Sequence, residues 1–132
     1  HTLTYLKFML LNRVEVEGVL VIERNQTEDS IYLCWLMDKR FKETTSYRNR
    51  YTRWDEDEFG KKRAGEPKPY GGCGGYLSVT RLDSPQGSVL IESHLILHEP
   101  DDWFGASNQL RSKLPITMQE NARSFRRKLA KK

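Results

Sequence analysis

The sequence has few cysteines and no long apolar run. Cys34 and Cys73 are its only cysteines, too few for the disulfide framework of a small secreted domain and, by themselves, for a zinc site. The longest strongly apolar stretches, residues 19–22 and 31–37, fall well short of the roughly 18 residues that a membrane-spanning helix requires. Apolar residues make up 37% of the chain, against about 45–50% in average domains. We therefore predict reduced thiols and a core that is small or partly hollow.

Catalytic and cofactor motifs are also missing. The sequence has no Ser/His/Asp order, and the glycine-rich residues 71–75 lack the Lys-Ser/Thr that a phosphate-binding P-loop needs. His94 and His98 would share one strand face at a spacing too wide for a common metal ion. We expect no catalytic residue, no metal and no cofactor, and predict that the protein is not an enzyme.

The length and the aromatic content indicate one folded domain. A chain of 132 residues is well below the roughly 250 residues at which cores begin to split. Three Trp, six Tyr and five Phe lie within dense apolar runs, which excludes a disordered chain. The net charge of +4 permits an acidic partner but does not specify one.

Hydrophobic periodicity predicts a short first helix, a set of strands and a long final helix. Apolar side chains at positions 3, 6, 9 and 10 have helix spacing, which places the first helix over residues 2–12. Residues 55–75 combine acidic and basic runs with prolines and glycines, and we predict a long mobile loop there. Runs rich in β-branched and aromatic residues predict strands over residues 19–24, 31–37, 45–54, 76–82 and 88–97.

After Gly105 the apolar period becomes that of an amphipathic helix, which Pro115 is expected to kink or divide. Its apolar stripe consists of Leu110, Leu114, Met118, Ala122, Phe125 and Leu129. An α+β fold follows, with antiparallel strands and one C-terminal helix.

The chain resembles the C-terminal part of START lipid-transfer domains. The resemblance rests on a long strand at residues 88–98 and a polar loop with a proline at residues 99–104. On the final helix it rests on the Leu-Pro pair at 114–115 and the Ala-Arg pair at 122–123. Residues 28–33 and 107–110 give supporting similarity. It implies a helix-grip fold, in which a curved antiparallel sheet packs on the long C-terminal helix around a cavity. Asp101 and Asp102 stand where START loops usually have glycine, and 132 residues are fewer than a whole START domain. The resemblance thus implies that residues 1–132 are a single START-like domain or the C-terminal part of one.

START domains enclose one hydrophobic molecule, and the resemblance implies that the inward strand faces and the helix stripe line the cavity. The apolar candidates are Leu33, Trp35, Leu77, Val79, Val89, Ile91, Leu95, Leu114, Met118, Ala122 and Phe125. The polar candidates for orienting the ligand are Tyr47, Asn49, Tyr51, Arg53 and Ser93. The guanidinium of Arg53 is suited to bidentate pairing with a phosphate or carboxylate. The alternative that these side chains fill a solid core stays open.

Two further groups are candidates for gating or membrane contact. Trp103 and Phe104 precede Gly105 and are suited to a lid or a membrane-inserting tip, or to capping the core. Arg126, Arg127 and Lys128 complement the dipole of the last helix and are suited to docking on anionic lipid. We predict an intracellular, cytoplasmic protein that binds and transfers a lipid or another hydrophobic small molecule, with transient membrane association.

The basic and aromatic residues 47–54 support an alternative. Tyrosines for stacking and arginines for phosphate describe a platform for single-stranded nucleic acid, or a protein interaction module. The neighbouring acidic residues 55–58 would repel phosphate, so lipid binding ranks first. A third alternative, cyclase-like chemistry in the cavity, would require buried acid or base residues near Asn49, Arg53 or Ser93.

Overall fold

A computed structural model describes residues 1–42, 46–104 and 109–129. The chain divides into two compact units, His1–His98 and Glu99–Lys132. Within the described residues of the first unit, the strands are β1 (Thr2–Leu10), β2 (Val14–Gln26), β3 (Ser30–Met37), β4 (Arg50–Glu56), β5 (Lys62–Ala64), β6 (Lys68–Pro69), β7 (Cys73–Arg81) and β8 (Val89–Leu97), with a 3-10 helix at Lys39–Phe41. The second unit contains α1 (Gln109–Leu129). The predicted α+β class, a curled antiparallel sheet with one C-terminal helix, is confirmed.

The predicted helix over residues 2–12 is wrong, because this segment is strand β1, paired antiparallel with β2. Leu6, Phe8 and Leu10 lie on one face of β1, and apolar residues on its other face hide the alternation that marks a strand. The hairpin turn uses positive φ angles at Leu11 (48°) and Asn12 (56°). This left-handed backbone matches the twist of the flanking strands.

Strand β2 is the branch point of the sheet. It pairs with β1 over residues 14–22, with β4 over residues 14–17 and with β3 over residues 20–26. A strand has only two edges, and β1 occupies one of them, so β4 and β3 follow each other along the second edge. The sheet therefore forks at residues 18–19 and continues as β3-β7-β8 on one side and as β4 with β5 and β6 on the other.

The side chain of Asn49 fills the fork. Its Oδ1 accepts a hydrogen bond from the backbone N–H of Val19 (3.0 Å), and its Nδ2 donates to the backbone carbonyl of Asp38 (2.7 Å). A Cβ on Gly18 would lie 2.5 Å from Asn49 Oδ1 and 2.8 Å from Met37 Cε. Gly18 lies inside β2, where only a hydrogen atom in place of a side chain leaves room for these neighbours.

Strand β4 begins later than predicted, at Arg50 rather than at residue 45. Residues 43–45 lie outside the described residues, and residues 46–49 are not in a strand. The segment 55–75, predicted as a loop, contains the end of β4, the short strands β5 and β6 and the start of β7. Pairing with β4 converts parts of this segment into strand, despite a local sequence that is typical of loops.

Helix α1 is a single helix of 21 residues that continues through Pro115. Its first stripe residue, Leu110, is buried, and Leu114 is half-buried. The later predicted ligand-binding residues of the stripe, Met118, Ala122 and Phe125, are exposed. Its last turn contains Arg126, Arg127 and Lys128.

Candidate functional site

The strand register sorts the side chains of the sheet onto two faces, because residues directly opposite each other in an antiparallel pair point to the same side. One face carries three cross-strand rows on β3, β7 and β8. From one end to the other they are Ile31, Val79 and Ile91, then Leu33, Leu77 and Ser93, then Trp35, Gly75 and Leu95. The same face continues on β2 with Val14, Val16, Leu20 and Ile22. We call it the apolar face.

Most of the predicted ligand-binding residues of the strands lie on the apolar face. They are Leu33, Trp35, Tyr51, Arg53, Leu77, Val79, Val89, Ile91, Ser93 and Leu95. The exposure of this face is uneven. Around the fork, Val14 and Val16 are fully buried, whereas Ile91 and Leu95 on β8 are 41% and 36% exposed. The β3-β7-β8 part of the apolar face is therefore a contiguous apolar surface that is only partly covered.

The indole ring of Trp35 packs against Gly75, the residue opposite it on β7. A Cβ on Gly75 would lie 2.6 Å from Cζ2 of the Trp35 ring, so the indole occupies the volume that a side chain at that position would take. The glycines of β7, which suggested a loop in the sequence, thus make room for the largest side chain of this surface. This contact was missed because it depends on the pairing of two strands that are far apart in the chain.

The opposite face, which we call the polar face, carries the ion pairs of Glu15 and Glu17 on β2. Lys7 Nζ lies 2.9 Å from Glu15 Oε1. The carboxylate of Glu17 is buried and accepts hydrogen bonds from the Tyr5 hydroxyl and from Nε of Arg50. Burial raises the pKa of Glu17, but the hydrogen bonds from Tyr5 and Arg50 outweigh it and the net pKa lies below its usual value. Burial and the bond to Glu17 raise the pKa of Tyr5 to about 12.

Tyr47 is not on the apolar face, contrary to the prediction. Its ring makes an edge-to-face contact with Tyr5 at 5.3 Å between centroids, and Tyr5 belongs to the polar face. The alternation that was expected to join Tyr47 to Tyr51 fails because the strand starts only at Arg50. Asn49, also predicted to orient a ligand, uses its amide to hold the fork together.

The predicted nucleic-acid platform has most of its side chains engaged inside the fold. The ring of Tyr51 is buried and packs edge-on against Tyr70 at 6.2 Å. Arg50 binds Glu17, and Nη2 of Arg53 lies 3.0 Å from Oδ1 of Asp55. These contacts leave Tyr51 without a free face on which a base could stack.

A pocket of about 270 Å³ lies beside the fork and was not predicted. It is lined by Met37, Lys39, Lys42, Asn49, Tyr70 and Gly71. The hydroxyl of Tyr70 donates to the backbone carbonyl of His98 (3.0 Å), and burial raises the pKa of Tyr70. No short motif marks this pocket, because its walls come from three separate segments of the chain.

The second unit contains the remaining candidates. Trp103 and Phe104 are both buried, with their rings edge-to-face at 6.1 Å, so neither is presented as an exposed tip. The basic side chains of the last turn of α1 are exposed. Among the described residues, no helix has both the length and the apolar character that crossing a membrane requires.

Comparison of the chain with protein-family models, with curated proteins and with solved structures gives no match. The function therefore has to be argued from the geometry of the site.

Proposed function

We propose that this protein binds one hydrophobic molecule, a lipid, on its apolar face and acts as a START-like carrier without covalent chemistry. The curled antiparallel sheet with a C-terminal helix supports the comparison with the helix-grip fold. The proposal goes further than this architecture, since it assigns the molecule that the sheet binds.

The observation that carries the proposal is the set of three cross-strand rows on the apolar face where β3, β7 and β8 meet. None of the nine residues in these rows is charged, whereas the polar face behind them carries Glu92 and His94. A contiguous, half-exposed apolar surface on one side of a sheet is a typical mark of a binding site. Covering a Val, Leu or Ile side chain completely contributes about 1.5–3 kcal/mol, so a hydrocarbon chain across several of these residues would bind with useful affinity.

The end of α1 is proposed as the membrane contact through which a lipid is exchanged. Three consecutive basic residues, Arg126, Arg127 and Lys128, follow the exposed apolar side chain of Phe125. A basic segment next to apolar side chains is attracted to anionic lipid by about 1 kcal/mol per basic residue near the surface.

Extraction of the purified protein with organic solvent, followed by mass spectrometry, tests the proposal. We expect one lipid class to be recovered in a constant ratio to protein. A preparation that is free of lipid and takes none up from vesicles would contradict the proposal. Salt-dependent binding of single-stranded oligonucleotides by that preparation would favour the nucleic-acid alternative.

Two neighbouring residues of β8 provide a matched pair of variants. Ile91 and Leu90 are 41% and 46% exposed but lie on opposite faces. We expect Ile91→Asn to weaken lipid binding by about tenfold, because it places an amide in the apolar surface. Leu90→Asn should leave binding unchanged. Titration with a fluorescent fatty acid measures both affinities, and equal effects of the two substitutions would exclude the apolar face as the site.

A further inference from the structure

The pocket beside the fork borders the apolar face. Met37 lines the pocket and also lies on the apolar face, opposite Leu20. Tyr70 contacts the ring of Tyr51, which belongs to the same face. The pocket therefore borders the apolar face on the same side of the sheet.

The floor and walls of the pocket are held by hydrogen bonds that meet at Asn49. The backbone N–H of Asn49 donates to the carbonyl of Phe41 (3.0 Å), and its own carbonyl accepts from the N–H of Tyr70 (3.0 Å). With the side-chain bond to Asp38, these contacts tie the 3-10 helix segment, Asn49 and Tyr70 together. The pocket is thus built in advance of any ligand, which lowers the entropic cost of binding.

The charge around the pocket is positive. Lys39 and Lys42 both line it. Among the residues that the structure describes, neither lysine forms an ion pair. The nearby carboxylate of Asp38 is already bound by the guanidinium of Arg40, with Nε 3.0 Å from both of its oxygens. The hydrogen bond from Arg40 also holds the pKa of Asp38 below its usual value.

The volume of the pocket suits a head group rather than a whole lipid. At about 270 Å³ it lies below the range of roughly 300–1,000 Å³ that holds a complete drug-sized ligand. Two ammonium groups offer hydrogen-bond donors and no acceptors. This chemistry selects an anionic group that is rich in oxygen, such as a phosphate.

We propose that this pocket binds the phosphate head group of an amphipathic ligand whose hydrocarbon chain lies on the apolar face. The proposal rests on the proposed function, because it requires the hydrocarbon chain of the ligand to be bound on the apolar face. It names the ligand class more closely, as a lipid with an exposed phosphate. Lys39 and Lys42 contribute the charge, while Met37 joins the head-group pocket to the apolar surface.

Isothermal titration calorimetry with three probes, each below its micelle concentration, tests the proposal. Palmitoyl lysophosphatidate carries both tail and phosphate, monopalmitoylglycerol carries the same tail without phosphate, and inorganic phosphate carries no tail. The full chain is compared with Lys39→Ala/Lys42→Ala. The control is Lys61→Ala/Lys62→Ala, which removes the same charge from exposed positions at β5.

We expect the pocket variant to bind lysophosphatidate about tenfold more weakly, which is the effect of a charge-assisted hydrogen bond partly screened by solvent. Its affinity for monopalmitoylglycerol should not change, and the control variant should match the full chain with all three probes. Inorganic phosphate should bind much more weakly than lysophosphatidate.

Three results would overturn the proposal in distinguishable ways. If neither amphiphile binds, the proposed function itself fails. If both amphiphiles bind equally well and the pocket variant is unaffected, the apolar face binds the tail but the pocket does not bind phosphate. If inorganic phosphate binds as tightly as lysophosphatidate, the pocket is a site for free anions and is unrelated to a lipid.

Discussion

At the scale of single residues, Asn49 decides how the sheet branches. β4 and β3 pair with successive segments of the edge of β2 that faces away from β1. Between these segments, the backbone of Val19 has no strand partner on that edge. The amide of Asn49 takes this place, since it accepts from Val19 and donates to Asp38. Only 2% of Asn49 is exposed, so loss of its amide would leave the buried backbone groups of Val19 and Asp38 without this partner. The fork also requires glycine at position 18, because a larger residue would occupy the space that the Asn49 amide fills.

Asn49→Asp tests this role. The substitution keeps the acceptor for Val19 but loses the donor to Asp38 and buries a charge. We expect a loss of about 3 kcal/mol near neutral pH. Burial raises the pKa of the introduced carboxyl above its ordinary value of about 3.9, so stability should return partly as the pH falls through the raised pKa and the carboxyl becomes a donor.

Urea denaturation at several pH values measures the effect. Asn25→Asp, at an exposed position of strand β2, is the matched control and should be nearly neutral throughout. A deficit for Asn49→Asp that did not shrink at acidic pH would contradict the hydrogen-bonding role.

At the scale of elements, the buried carboxylate of Glu17 joins three strands. Tyr5 on β1 and Arg50 on β4 both donate to Glu17 on β2. The hairpin and the β4 branch are therefore connected through one side chain as well as through the backbone ladder. This contact lies on the polar face, opposite the candidate binding surface.

This cluster predicts a pH dependence of stability. The pKa of Glu17 is lower in the folded protein than its ordinary value of 4.5. Its contribution is therefore present above pH 4.5 and is lost as the pH falls through the folded pKa. Glu17→Gln should cost about 1–3 kcal/mol near neutral pH and flatten the acid side of the stability profile. Asp38 acts in the same direction, so some slope will remain.

Chemical denaturation from neutral pH to well below pH 4.5 measures this profile. Glu28→Gln removes an exposed carboxylate and serves as the control. An unchanged acid slope in Glu17→Gln would show that the Glu17 cluster does not contribute to the pH dependence.

Sequence patterns predicted some elements well and others poorly. The face of β8 with Val89, Ile91, Ser93, Leu95 and Leu97 was predicted and is observed, because alternation along a strand is a property of the backbone itself. β1 was predicted as a helix, because the positions of its apolar residues are compatible with the period of a helix and with that of a strand. Only its pairing with β2 identifies it as a strand. The pocket lysines were missed because neither is near Tyr70 in the sequence.

At the scale of the whole molecule, charge is distributed unevenly. Much of the basic excess lies at the end of the chain, where Arg126, Arg127 and Lys128 form the last turn of α1. The first unit pairs many of its charges, as in Lys7 with Glu15. The net charge of +4 is therefore a local property of the helix end and weak support for nucleic-acid binding.

Charge reversal at this end tests the proposed membrane contact. We expect Arg126→Glu/Arg127→Glu to reduce binding to vesicles containing phosphatidylserine by more than about tenfold, from the loss of roughly 1 kcal/mol per basic residue. Arg111→Glu/Lys113→Glu makes the same change in charge near the start of α1 and should have a smaller effect. Sedimentation with vesicles measures both, and equal losses would indicate a general effect of net charge.

The sequence by itself determined which side chains share a face of β8, where the long amphipathic helix lies and that its last turn is basic. These properties follow from periods of 2 and 3.6 residues, which the covalent backbone sets locally. The tertiary structure alone decided that β1 is a strand, that β2 forks around Asn49 and that two lysines meet Tyr70 at a pocket. These features depend on pairing between residues far apart in the chain, and local periodicity carries no information about which distant segment becomes the partner.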